Sequence, residues 1–390
     1  MERQIEEEYN QWRERYAPSS YDWSFNQGFS YRPSHTVEWL PGREENGDFA
    51  FQTLMFGNYT LRDHSNYLVF AKLKLPASAN ANISSLGCEI IKKIKHDGIV
   101  YRARFMSNEN QKIIATKTSS SGLVCLFDSS KPSSEALVLT LKGHTKSGKA
   151  LSWNKSINGY LLSGSLDAKV CLWDVNATPN NKTLEAYALY QDHNGPVRDV
   201  AWRNESSFGS VGVDKCLNIY DLRSPAASNP VQYVLAHKKE STCLAFNPFN
   251  GELVVTGSLD HTIKVFDLRQ TRFEVHTLKH HRGRVNQLGW NPKYKGILAS
   301  GCHSRMVLIW DLTRIGQILT REEEAEGPPE LLFDHAGHKG QITDFAWNTS
   351  KDRIIASVAK DNSLQIWKMK DIVYKDKDDE LEESTSTFLE

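Results

Sequence analysis

Short apolar runs with strand-like alternation recur along most of the chain, and they end in a shared signal. Aromatic–Asp pairs stand at Phe127-Asp128, Trp173-Asp174, Tyr220-Asp221, Phe266-Asp267 and Trp310-Asp311, and a sixth run ends Ile366-Trp367-Lys368. A histidine lies upstream of each: His96, His144, His193, His237, His281 and His338. Soon after the histidines come alternating stretches such as Ala150-Leu151-Ser152-Trp153, Val200-Ala201-Trp202, Leu288-Gly289-Trp290 and Phe345-Ala346-Trp347. Turn sequences separate the two signals, Gly164-Ser165-Leu166-Asp167 and Gly257-Ser258-Leu259-Asp260 being the clearest. The period is about 45 residues, which predicts a repeated unit of four short strands. One such unit is too thin to bury both of its faces, so neighbours must stack.

The recurring His, turn Asp and Trp-Asp positions resemble the WD-repeat family. The resemblance implies an all-β fold, a β-propeller with one four-stranded blade per repeat. Six repeats cover roughly residues 90–370 on this spacing. Three further strand-like runs lie upstream, at residues 35–40, 51–56 and 67–75. They supply a seventh blade, and the ring is expected to close by their pairing with the last strand near Leu364–Trp367, which removes exposed sheet edges. Residues 31–370 therefore read as one seven-bladed propeller. Residues 1–30 read as a helix and lead-in. Within them Ile5, Tyr9, Trp12 and Tyr16 fall on one helical face, Glu6, Glu7, Glu8, Arg13 and Glu14 lie on the others, and Pro18 ends the helix. This predicts an amphipathic helix packed on the disc's side. Residues 371–390 read as an acidic disordered tail.

Composition narrows the picture only a little. Apolar residues make up 39% of the chain, enough for a sizeable core. Lys plus Arg equals Asp plus Glu at 47 each, so the whole-chain charge predicts neither nucleic-acid nor membrane binding. No apolar run is long enough for a spanning helix, and the acidic start lacks the order of a secretory signal. Cys88, Cys125, Cys171, Cys216, Cys243 and Cys302 are widely spaced and include no C-x-x-C pair, which predicts no metal site and a reducing compartment. The recurring His, Asp, Ser and Trp could be assembled into a triad on paper. A group repeated in every blade belongs to the scaffold, however, and buried polar groups of this kind satisfy one another. No G-x-S-x-G, phosphate loop or H-E-x-x-H motif is present, so neither an enzyme nor a cofactor is expected.

The sixth repeat departs from the average. From Trp310 to Trp367 the interval exceeds the others by about a dozen residues. The insertion, within residues 314–333, carries Glu322, Glu323, Glu324 and Glu326 ahead of Gly327-Pro328-Pro329, and Leu331-Leu332-Phe333 returns to the sheet. Prolines restrain the loop, and clustered carboxylates on a restrained loop suit a cationic ligand. A solvated acidic loop is the plain alternative.

Further motifs sharpen the resemblance. Glu7-Glu8-Tyr9-Asn10-Gln11-Trp12 precedes Tyr21-Asp22 and Thr36-Val37-Glu38-Trp39-Leu40-Pro41. Downstream come Arg102-Ala103-Arg104, Ile114-Ala115-Thr116-Lys117, Leu151-Ser152-Trp153-Asn154, Phe208-Gly209-Ser210 and Gly327-Pro328-Pro329-Glu330-Leu331-Leu332-Phe333. Together they resemble the retinoblastoma-binding, Msi-type histone-binding WD-repeat proteins. That family supplies non-catalytic subunits to nuclear chromatin assembly, histone acetyltransferase, deacetylase and Polycomb complexes. The resemblance implies core histones as partners, with the first helix of histone four held between the N-terminal helix and the Gly-Pro-Pro loop. Tyr9, Trp12, Tyr16 and Phe333 would then line an apolar groove, and Glu322, Glu323, Glu324 and Glu326 would meet arginines. Ser19 and Ser20 stand where the family has large apolar residues and Asp334 where it has Ile. These departures keep a second reading open: a WD-repeat interaction scaffold that has lost histone binding.

The family also implies an acidic channel mouth for a basic peptide such as the histone-three tail, built from the third and fifth residues after each histidine. Here those pairs are Ile99/Tyr101, Ser147/Lys149, Pro196/Arg198, Glu240/Thr242, Arg284/Asn286 and Gln341/Thr343. Lys360 adds a cation and Ser30 removes an acid relative to the family. The expectation is a weakened or lost basic-tail channel. No basic stripe with interleaved aromatics points to sequence-specific nucleic-acid recognition.

Overall fold

The alternating runs pair antiparallel into sheets whose inner and outer residues follow the strand period of two. The computed structural model describes residues 2–15, 20–29, 34–59, 65–78, 81–106, 112–179, 181–224, 229–270, 272–321 and 327–370. Among them are seven sheets, six of four strands and one of five. The innermost strands are Val37–Asn46, Val100–Phe105, Leu151–Trp153, Val197–Trp202, Ser241–Phe246, Val285–Trp290 and Ile342–Trp347. They touch in that order, and the last touches the first. Blades one to seven are numbered by them. In blade two, the fifth strand, Thr183–Glu185, adds parallel to Leu137–Lys142.

Closure differs from expectation in one respect. Residues 37–76 do build a blade, but Gly87–His96 completes it as the fourth strand, so blade one needs no help from the chain's end. Blade seven has only three strands from its own segment, which leaves the edge of Ser363–Met369 open. Tyr21–Gly28 covers that edge, with Ser24 opposite Trp367 and Gln27 opposite Leu364. The strand therefore belongs to the propeller and not to the lead-in. Its alternation, with Tyr21 and Trp23 buried and Asp22 and Ser24 exposed, is the mark of a half-buried edge strand.

Two sets of polar staples fix the blades. Within blade three, Asp167 can only accept from His144 Nδ1 (3.2 Å), which leaves His144 Nε2 to accept from Ser163 Oγ at 2.8 Å. Trp173 Nε1 donates to the same hydroxyl at 2.9 Å. Blade seven repeats the chain with Asp361, His338, Ser357 and Trp367. Burial lowers the His144 pKa, so the imidazole stays neutral inside this chain. The carboxylates also hold the turns: Lys169, Thr262 and Ser363 donate backbone N–H groups to Asp167, Asp260 and Asp361. Each intervening residue has positive φ, as at Ala168 (67°) and His261 (71°), a conformation that costs about 1–2 kcal/mol without such support. Between blades, inner-strand tryptophans donate to the preceding blade's backbone: Trp153 to Arg104 O, Trp202 to Ser152 O, Trp290 to Ala245 O, Trp347 to Gly289 O and Trp39 to Ala346 O.

Candidate functional site

The edge of blade six gathers the first set of expected residues. Its outer strand, Leu331–His335, follows the Gly-Pro-Pro segment. Gly327 has φ 151°, and a side chain there would press on Leu331 and approach His280. The turn closes with Leu331 N donating to Pro328 O at 2.9 Å. Glu330 is buried and reaches His276 of blade five's outer strand at 3.0 Å. Burial opposes its charge, but the hydrogen bond from His276 and a local backbone bond hold its carboxyl below the usual range. The Pro-Pro segment is thus tied to blades five and six. Earlier in the insertion Ile318 is 99% exposed, an apolar side chain with no cover in the fold.

The N-terminal helix, α1 (Glu2–Arg15), lies at the other end of that strand. Trp12 packs edge-on against Tyr21 (5.7 Å between centroids) and His335 (5.6 Å). Tyr9 neighbours Trp12, and Lys339 Nζ lies 4.6 Å from the Tyr9 ring while bonding Glu6 at 2.8 Å. Glu7, Arg13 and Glu14 are exposed. Under the helix, His335 Nε2 donates to Gln365 Oε1 and its Nδ1 accepts from the Tyr21 hydroxyl at 2.7 Å. Phe333 is 9% exposed and packs on Tyr21 and Trp367.

Trp12 and Phe333 therefore meet through Tyr21, with Asp334 exposed beside them, and Gly327, Pro328 and Pro329 open the same strand, half-exposed. Tyr16, Glu322, Glu323, Glu324 and Glu326 lie outside the described residues. Sequence reasoning missed Tyr21, Glu330, His276, His335 and Ile318 as parts of this edge. The alternation Tyr21-Asp22-Trp23 was the available signal for the first.

The channel holds the second set. Arg102 crosses from blade two to Gln287 Oε1 of blade six (3.1 Å) and Asp344 Oδ1 of blade seven (3.2 Å). Arg104 takes the same carboxylate, and Val37 N donates to it. Burial pushes the Asp344 pKa up, but Arg104 and Arg102 together outweigh this and hold it below the usual range. Lys149 crosses from blade three to Asn286 O of blade six at 3.2 Å, and Asn286 Nδ2 donates to Ile342 O. Arg198 pairs with Glu240 at 2.8 Å. Thr242 is turned to main-chain carbonyls and buried. Ile99 is half-buried, Tyr101 lies edge-on to His35 at 5.5 Å, Ser147 O accepts from Leu166 N, and Arg284 and Lys360 are exposed. His35, His303 and Asp344 were not singled out by sequence. Asp344 and Arg102 each stand three residues before their blade's inner-strand aromatic, a register that strand pairing makes plain. Among the described residues, no three His, Cys, Asp or Glu side chains cluster as metal ligands.

Comparison with known families agrees with this architecture. Residues 7–77 match the family described as histone-binding protein RBBP4 or its counterpart in the CAF1 complex. This segment takes in most of α1, the closing strand and three strands of blade one. Residues 135–174, 228–267, 272–311 and 329–368 match the WD domain, G-beta repeat. With the seven blades and the helix on their side, these matches identify the chain as a member of the RBBP4/CAF1 family of histone-binding WD-repeat proteins.

Proposed function

We propose that this protein is a non-catalytic scaffold that holds a basic histone helix, that of histone four, along the edge of blade six. The helix would lie between α1 and the Glu322–Glu326 segment that leads into Gly327-Pro328-Pro329, and the complex would act as a nuclear component of a chromatin-assembling or chromatin-modifying machine. The observation that carries this reading is that α1 and the Gly-Pro-Pro segment flank one strand, Leu331–His335. Exposed Ile318 and half-buried Trp12 and Tyr9 offer apolar contact, and the glutamates suit arginine through charge-assisted hydrogen bonds. Because Asp334 and the serines 19 and 20 replace apolar anchors, electrostatics carries a larger share of the binding than packing does.

Titration with a histone-four helix peptide tests this. Glu323→Ala plus Glu326→Ala should weaken binding by about tenfold or more, and added salt should weaken binding to the parent chain. Absent binding, or binding indifferent to both changes, would sink the reading and leave a scaffold without histone affinity.

A further inference from the structure

The mouth of the channel carries positive charge that the described part of the chain leaves largely uncompensated. Four of its cations come from four different blades: Lys149, Arg198, Arg284 and Lys360. Of these, only Arg198 has a carboxylate partner among the described residues. Lys149 finds a main-chain carbonyl instead, and Arg284 and Lys360 stand exposed. The turn aspartates nearest the rim are not free to help, because Asp167, Asp214, Asp260 and Asp361 face inward to their histidines. Below the mouth, one acid, Asp344, serves both Arg102 and Arg104. Burial pushes the Glu38 carboxyl, beside Arg104, up to about 7.

Two histidines report the same field. His35 is lowered to about 4 by burial, then by Lys360 and Lys149. His303 is lowered by burial, then by Arg284 and Lys360. Since Arg102 and Lys149 both cross the channel, the mouth is a recess with a cationic floor and a cationic rim. Like charges collected in a recess focus their potential on whatever enters it.

We propose that this recess is a docking site for an acidic peptide, whose carboxylates lie between Lys149, Arg284 and Lys360. Carboxylates on a flexible chain can reach a cation set of which Lys149 lies below the rim, whereas the phosphates of a duplex stay on its outer surface. The His35–Tyr101 pair on the wall adds an aromatic surface suited to a peptide backbone and its apolar side chains.

The test uses the full chain and a short fluorescein-labelled peptide of Asp, Glu and Gly. Anisotropy should show saturable, salt-sensitive binding. Arg284→Glu plus Lys360→Glu, both exposed and so compatible with folding, should weaken it by about tenfold or more at an unchanged melting temperature. Glu323→Ala plus Glu326→Ala should leave it intact, which separates this site from the blade-six edge. The proposal is overturned by absent binding, by binding that the Arg284/Lys360 pair does not alter, or by a DNA duplex that displaces the peptide at lower concentration than the peptide itself binds.

Discussion

His281 is the one blade histidine in the described structure whose Nδ1 is buried with no partner. Its Nε2 keeps Ser300 at 2.7 Å, and Trp310 Nε1 meets the same hydroxyl. The missing group is the turn aspartate. Ser304 occupies the position of Asp167 and Asp260, one residue before Arg305, whose φ is 72° like its counterparts. His96 also lacks the aspartate, yet its Nδ1 reaches Gly98 O at 3.2 Å. An orphaned buried polar atom costs about 1–3 kcal/mol, so Ser304→Asp should stabilise the protein by about 1–2 kcal/mol in denaturant unfolding. The pH dependence has a definite sign. Burial lowers His281 to about 3, with His280 and His261 adding to the effect. Its contribution to stability is full above the unfolded value near 6.5 and falls as the pH drops toward about 3, by up to about 1.4 kcal/mol per unit. Ser304→Asp should flatten that slope, because the new carboxylate would favour the imidazolium. An unchanged slope between pH 6 and about 4 would count against this account. The serine was readable in the sequence; that its absence of charge strands a nitrogen was not, since only the fold reveals that His96 found a substitute and His281 did not.

Among elements, α1 and the closing strand are adjacent in the chain but do different work. Tyr21–Gly28 buries Tyr21 and Trp23 at 7% exposure each and seals the edge of Ser363–Met369. The helix rests on the finished surface through Trp12. Deleting residues 1–15 should therefore lower the melting temperature by only a few degrees and abolish histone-helix binding. Deleting residues 1–28 should open the ring, lower the melting temperature far more and promote association through the bared edge. Differential scanning calorimetry of the two truncations decides it, and equal melting temperatures would refute the division of labour. The repeat signals, the helix and the long sixth blade were legible because each rests on local periodicity or spacing, as with Trp310 to Trp367. The closing partner was misassigned because pairing between residues some 340 apart leaves no local trace; Tyr21-Asp22-Trp23 alternates like any other strand. The face of Tyr9 and Trp12 was legible as apolar, but not that Tyr21 and His335 would occupy it.

For the whole molecule, a net charge of zero conceals a division. Lys149, Arg198, Arg284 and Lys360 are spread over more than half the sequence, and only ring closure brings them to one mouth. The acidic Glu322–Glu326 run belongs to the insertion in blade six. A basic histone-three tail entering the mouth would therefore meet like charge with Lys149 already crossing its path, a clash that can cost several kcal/mol. Reversal of the rim should exchange the ligand preference. With Arg284→Glu plus Lys360→Glu, a histone-three tail peptide should gain affinity by about tenfold while the acidic peptide loses a comparable factor, since both changes act on one potential. Isothermal titration of the parent chain should show no binding of the unmodified histone-three tail in the micromolar range. Micromolar binding to the parent chain, or a double variant in which both peptides shift in the same direction, would mean that Arg284 and Lys360 point away from the mouth and leave its potential unchanged.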